Sequence, residues 1–252
     1  MNASTFKPGF LVWILVTIIP LTLIATYTLT VLLNHGVRRT VPYISDTIDF
    51  SPESCIGTFF ISISAFIVFI IVILKYTLLN INVNKNCNIN EILFDENENE
   101  KKRKRGIVLN RVSTFFGIIC SISIHGVSSF QYHNTPIVHQ LFAASFFFSG
   151  FIYLFTQTYL DHKFSNLPKR ILILRRFIIL TTSVFIGYII LQFFIDDLAA
   201  IFEIISAMSI FLYLISFYHE FSKITINFHF NLVSEIEQHK QYNENSALLV
   251  SQ

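Results

Sequence analysis

Six long apolar runs decide what this chain can become. An α-helix crosses the ~30 Å hydrocarbon core of a bilayer with about 20 consecutive apolar residues, and runs of that length fall at 10–33, 56–79, 107–130, 136–159, 171–195 and 198–221. With 53% hydrophobic residues, 13% charged residues and 28 Phe, too little polar surface remains to clothe a soluble domain of 252 residues. The fold class is therefore all-α: a polytopic six-helix transmembrane bundle over 1–221, followed by a tail at 222–252. The first run is too long for a signal-peptide core and has no small-residue cleavage site, so it is expected to stay as an anchor. Pro20 is expected to kink it, and Asp196 with Asp197 is expected to form the tight turn between the last two spans.

The net charge of +2 conceals an asymmetry. Lys7, Lys75, Lys85, Lys101, Lys102, Arg103, Lys104, Arg105, Arg111, Lys163, Lys169, Arg170, Arg175, Arg176, Lys223 and Lys240 fall on one side of the spans, and only Arg38 and Arg39 on the other. The positive-inside rule then makes both termini, the tail and the 80–106 loop cytosolic, and turns the 34–55 loop, the 131–135 turn and the 196–197 turn toward the lumen or exterior. The 80–106 loop is Asn-rich, then acidic, then basic. Its basic run reads as a topology determinant able to touch anionic lipid rather than as a nucleic-acid patch. Asn2-Ala3-Ser4 is a glycosylation sequon on the cytosolic side and is expected to be silent.

No catalytic signature accompanies this frame: no HExxH, no GxSxG and no phosphate-binding glycine loop. Cys55, Cys87 and Cys120 are too few and too scattered for a disulfide framework or a zinc site, so no metal or cofactor is implied. With the basic residues assigned to the cytosolic side, no intramembrane Lys or Arg is expected to mark a transport path, and no paired charged helices suggest a proton pump.

The first luminal loop is richer than a linker requires: His35, then Pro42-Tyr43-Ile44-Ser45-Asp46-Thr47, Asp49, and Ser51-Pro52-Glu53. Ser51 as N-cap, with Pro52 at the first helical position and Glu53 near the positive helix end, explains its close. Asp46 suits a local turn. Glu203 sits near the luminal end of the sixth span, and Gln131 and His139 belong to the same end. With His35, Asp46, Asp49 and Glu53 they make a candidate luminal polar cluster. Two readings stand open: a hydrogen-bonded network tying loop to bundle, or a site for lipid head groups or acid–base chemistry. His125 and Gln157 read as interhelical hydrogen-bonders, whereas His133, His162, His219, His229 and His239 show no partner pattern.

The run Pro42-Tyr43-Ile44-Ser45-Asp46-Thr47 followed by Pro52-Glu53, between the first two of six spans, resembles the signature of the FRAG–DRAM–SFK membrane family, closest to its damage-regulated autophagy modulator branch. Gly126-Val127-Ser128-Ser129-Phe130-Gln131, Val138-His139, Gly150, Tyr153, Gln157 and Glu203 follow in the family's order. The chain departs from that pattern where Ile48 replaces a Gly, Ser129 an Asn and Ile204 a Trp. The resemblance implies a modulator of autophagy, linked to apoptosis, in lysosomal or late endosomal membranes. It would act as a non-enzymatic scaffold for membrane lipids or membrane-protein partners. Other branches of the family imply GPI-anchor lipid remodelling in the secretory pathway, with Golgi, ER or plasma-membrane residence. In the tail, Glu244 four residues before Leu248-Leu249 resembles an acidic dileucine signal read by clathrin adaptors.

Overall fold

The computed structural model describes residues 4–35, 40–91 and 96–228. It contains six helical stretches long and apolar enough to cross a membrane. They are α1 (Gly9–Leu32), α2 (Glu53–Glu91), α3 (Glu96–Ser129), α4 (Pro136–Phe164), the pair α5 (Lys169–Thr182) and α6 (Phe185–Leu191), and α7 (Asp196–Ser216) continuing into α8 (Tyr218–Phe221). The bundle has a loop end, carrying residues 40–52, 130–135 and 192–195, and a basic end. At the basic end, β1 (Ser4–Phe6) pairs antiparallel with β2 (Ile226–Phe228), Thr5 opposite Asn227, so the segments flanking the first and last spans lie side by side. Trp13, the chain's single tryptophan, packs edge-on against Tyr218 nearby, their rings 5.7 Å apart.

Several elements differ from the sequence reading for identifiable reasons. The segment 80–106, read as a loop, is helical up to Glu91 and again from Glu96. Asn and Lys do not end a helix that a neighbour supports, and here Val83 and Cys87 of α2 pack in a small apolar cluster with Leu160 and Phe164 of α4, with Ile107 and Leu109 of α3 against it. The fifth span breaks after Thr182. Ser183 turns its hydroxyl back onto the Leu180 carbonyl at 2.7 Å, the local bonding with which serine competes against helix continuation. Pro20 lies inside α1, as expected. The turn before the last span is 192–195, and Asp196 with Asp197 occupies the first turn of α7, where carboxylates favour the positive helix end. At the start of α2, Ser51 does not cap: its hydroxyl faces Cys55 Sγ at 4.0 Å, while the Pro52 carbonyl accepts the Cys55 and Ile56 N–H groups.

Close approach between helices depends on glycine, as in membrane bundles generally. At Gly126 of α3 the Phe142 ring of α4 lies where a Cβ would stand, 2.3 Å from its ideal position. Phe142 in turn stacks on Phe130 at 5.5 Å, so one missing methyl aligns the end of α3 with the start of α4. A Gly126→Val substitution is expected to destabilise the bundle by about 1–3 kcal/mol, as overpacking does. Thermal unfolding of the detergent-solubilised protein measures this; an unchanged melting temperature contradicts the packing described.

Candidate functional site

The residues of the first loop fold into a lid. Residues 45–48 form one 3₁₀ turn, with Asp46 Oδ2 accepting the Tyr43 N–H at 3.1 Å and the Thr47 hydroxyl donating to the Ile44 carbonyl at 2.8 Å. This is the local turn chemistry that Asp and Thr supply. Ile48, at the position where the resemblance leads one to look for glycine, is buried and packs on Gly57 of α2, where an added Cβ would lie 2.5 Å from its Cγ2.

Four sets of contacts hold the lid down. Glu203 of α7 accepts the Ile44 N–H at 3.0 Å, a bond between positions 159 residues apart. Thr30 of α1 donates to the Thr47 carbonyl at 3.3 Å, and the Thr26 and Thr47 hydroxyls meet at 3.4 Å. His35 Nδ1 and Glu53 Oε1 lie 2.9 Å apart, closing the base of the loop. Asp49 accepts the His133 N–H at 2.8 Å, and Phe50 sits between the His35 and His133 rings, 5.8 and 5.1 Å away.

The proposed cluster is thus partly assembled. His35 and Glu53 pair with each other, Asp46 bonds within the loop, Asp49 reaches the 130–135 turn and Glu203 reaches the Ile44 backbone. Gln131 and His139 serve the adjoining turn: Gln131 Oε1 accepts from Asn134 at 3.4 Å, and His139 contacts the Phe130 carbonyl at 2.7 Å, which makes its Nδ1 the donor. His133, read as partnerless, is one of the lid's contacts. Farther along the bundle, His125 bonds Ser62 at 2.9 Å and Gln157 donates to Ser113 at 3.0 Å, joining α3 to α2 and α4 to α3 as read. Thr26 and Thr30 were missed. Their signal was available, since Thr22, Thr26 and Thr30 recur every four residues along one helix face.

Beneath the lid lies a chamber of about 80 Å³ between α1, α2, α3, α4 and α7. Ile44, Ser45, Ile48 and Glu203 roof it, and Leu23, Phe146, Phe147 and Phe211 are among its apolar walls. A narrower crevice between α1 and α7 shares Ile19, Met208 and Phe211 with it. Among the described residues no group of three or more His, Cys, Asp or Glu side chains could hold a metal. Glu53 keeps one carboxylate oxygen buried without a hydrogen-bond partner. The dileucine residues Glu244, Leu248 and Leu249 lie outside the described residues, as do Arg38 and Arg39.

At the basic end the structure corrects the reading that no Lys or Arg lies inside the bundle. Lys75 of α2 and Arg175 of α5 are fully buried. Lys75 Nζ lies 2.7 Å from Asp161 Oδ1 and 2.6 Å from Glu220 Oε1. Arg175 reaches Glu220 Oε2 at 2.6 Å and pairs with Asp161 Oδ2 through its other terminal nitrogen. Each cation bridges both carboxylates and each carboxylate bridges both cations. Phe217 lies under both cations, 5.0 Å from Lys75 Nζ and 4.9 Å from Arg175 Cζ. Ser216 and Ser165 complete the bonding to Arg175 and Asp161. Sequence reading assigned Lys75 and Arg175 to the positive-inside count and passed over Asp161 and Glu220. One charge on each of four helices at similar depth was the available signal.

The chain matches the Frag1/DRAM/Sfk1/Cwh43P N-terminal domain over residues 8–224. It belongs to that family. The match takes in the lid, the chamber and the charge network of this Frag1/DRAM/Sfk1 protein. It is 30% identical over 138 residues to the DNA damage-regulated autophagy modulator protein 1 of Xenopus laevis, covering 55% of this chain and 51% of that protein. The chain thus spans about half the length of that curated relative. No solved structure matches it.

Two outcomes follow from the geometry. Glu203→Leu leaves the Ile44 N–H without its acceptor, at a cost of about 1–3 kcal/mol; amides 43–47 are expected to exchange faster than in the parent protein, measured by hydrogen–deuterium exchange mass spectrometry. Lys75→Met strands one unit of negative charge and should cost about 3–5 kcal/mol. Adding Glu220→Gln restores the charge balance and should recover part of that loss in thermal unfolding.

Proposed function

We propose that this chain modulates autophagy from lysosomal or late endosomal membranes, with a link to apoptosis, as a scaffold that engages lipid or a membrane-protein partner rather than as a catalyst. Both termini face the cytosol in this reading, because the basic residues cluster at that end. The lid then faces the lumen. The observation that carries the reading is the lid itself: the family's signature loop is spent on anchoring bonds to α1, α7 and the 130–135 turn, over an apolar chamber. Such bonds shape a recognition surface. Membership in the family supports a membrane role, and the printed name of the Xenopus relative supports autophagy. The tail adds clathrin adaptors as partners through Glu244, Leu248 and Leu249.

One observation favours a second reading, GPI-anchor lipid remodelling in the secretory pathway. His35 and Glu53 form a histidine–carboxylate pair at 2.9 Å, the arrangement that orients an imidazole for proton transfer.

Imaging of the tagged full-length protein, with autophagic flux measured in cells lacking it, tests both readings. The first expects endolysosomal residence, reduced flux on loss of the protein, and redistribution to the cell surface when Leu248 and Leu249 are both changed to Ala. Residence in the Golgi or ER, with altered GPI-lipid composition that His35→Ala reproduces, overturns it in favour of the second.

A further inference from the structure

At the basic end, a groove of about 280 Å³ runs between α4 and α5, lined by Phe155, Thr158, Tyr159 and His162 of α4 and by Arg176 and Ile179 of α5. The α4 residues recur at i, i+3, i+4 and i+7 and so share one helix face. Thr158 is buried beneath it, its hydroxyl 2.7 Å from that of Tyr213, whereas Phe155 and Tyr159 are 58% and 50% exposed. The charge network sets how the two helices meet here. Arg175 turns inward onto Asp161. Arg176, one residue and about 100° farther round α5, lines the groove, as does His162, the neighbour of Asp161 on α4. Among the described residues, neither the Arg176 guanidinium nor the His162 ring has a hydrogen bond or ion pair. Charge along this part of the chain is of one sign: residues 162–195 include Lys163, Lys169, Arg170, Arg175 and Arg176 and no Asp or Glu. Asp161, just before them, is engaged by Lys75 and Arg175. Lys163 lies along the edge of the groove, its Nζ 5.7 Å from the Tyr159 and Phe164 rings.

The geometry points to this groove as a binding site for an anionic phospholipid of the leaflet at the basic end, its phosphate at Arg176 and His162 and an acyl chain along Phe155 and Ile179. Depth supports an amphiphile. Counting from Pro136 at 1.5 Å per residue, Phe155 stands about 28 Å, Tyr159 about 34 Å and His162 about 39 Å from the loop end, so the groove passes from the edge of a ~30 Å hydrocarbon core into the head-group layer. A free phosphate would use only the polar end and leave the surface of Phe155 and Ile179 bare. The planar guanidinium presents paired N–H donors that fit a phosphate, and the imidazole supplies an N–H in either protonation state. Basic pockets between spans recognise anionic head groups by this chemistry. A zwitterionic lipid brings its own cation to a site that already holds Arg176 and Lys163. The inference rests on the lipid-engaging part of the reading above, and adds to it a lipid class and a place at the end opposite the lid.

Purified full-length protein in phosphatidylcholine nanodiscs tests it. Phosphatidic acid and phosphatidylcholine probes with identical photoreactive, clickable chains are compared. Phosphatidic acid is expected to label peptides spanning 155–162 and 176–179 at least roughly tenfold above phosphatidylcholine, about the difference one charge-assisted hydrogen bond makes. Arg176→Gln should erase that preference. Arg170→Gln removes the same formal charge from the same helix outside the groove, and should keep it. Ile179→Trp, which fills the apolar part, should lower labelling by phosphatidic acid while Arg176 is intact. Each comparison is made between proteins of equal melting temperature. Equal labelling by the two probes, or a preference lost to Arg170→Gln as readily as to Arg176→Gln, shows annular lipid drawn by general positive charge and overturns the site. Displacement of the phosphatidic acid probe by excess inorganic phosphate shows a soluble-anion site and overturns the lipid assignment. Because the assay needs no cell, its failure leaves localisation and autophagic flux to stand or fall on their own.

Discussion

Two cations and two carboxylates, buried together near the basic end, fasten this bundle. Lys75, Asp161, Arg175 and Glu220 come from four separate helical stretches, and each is bonded to both groups of opposite charge. Within lipid there is no hydrophobic force to press helix against helix, so specific polar pairing and close packing must set their positions. A closed ring of opposite charges does so stringently, because any displacement strands a charge where stranding is costly. The fifth stretch needs this most. It breaks after Thr182, and Arg175 binds it to α4 and to the end of the last span.

The opposite end is held by weaker and more numerous bonds. Hydroxyls of Thr26 and Thr30, the carboxylates of Asp49, Glu53 and Glu203, and the tilted rings of Phe50 and His133 each make an ordinary contact. The fastening is thus graded, concentrated in one charge network at the basic end and divided among many small contacts at the loop end. Energies of this kind permit local opening without loss of the fold.

The six spans were legible because span length and apolar run are the same physical fact. The loop's importance was legible from two prolines and several carboxylates where a linker would do. What escaped reading depended on three-dimensional depth. Asp161 and Glu220 look like span-ending charges, and only helix positions show that they meet Lys75 and Arg175. The helicity of 80–91 and 96–106 escaped because Asn, Glu and Lys carry no apolar periodicity, whereas the support comes from Leu160 and Phe164 of another helix. Gln131 and His139 were drawn toward the loop by topology alone, and their bonds turned out to close the neighbouring turn instead.

The length of the α2–α3 hairpin has one more effect. At 1.5 Å per residue, the 39 residues of α2 extend about 58 Å, nearly twice the hydrocarbon thickness. Counting back from Ser129 along α3, Arg105 stands about 36 Å and Lys101 about 42 Å from the loop end, which puts the basic run roughly 6–12 Å past a ~30 Å core, in and just beyond the head-group layer. Glu98, farther along the same helix, lies higher still. A continuous helix thus converts order along the sequence into height above the bilayer. Anything that docks on this hairpin meets negative charge first and positive charge only on reaching the membrane surface.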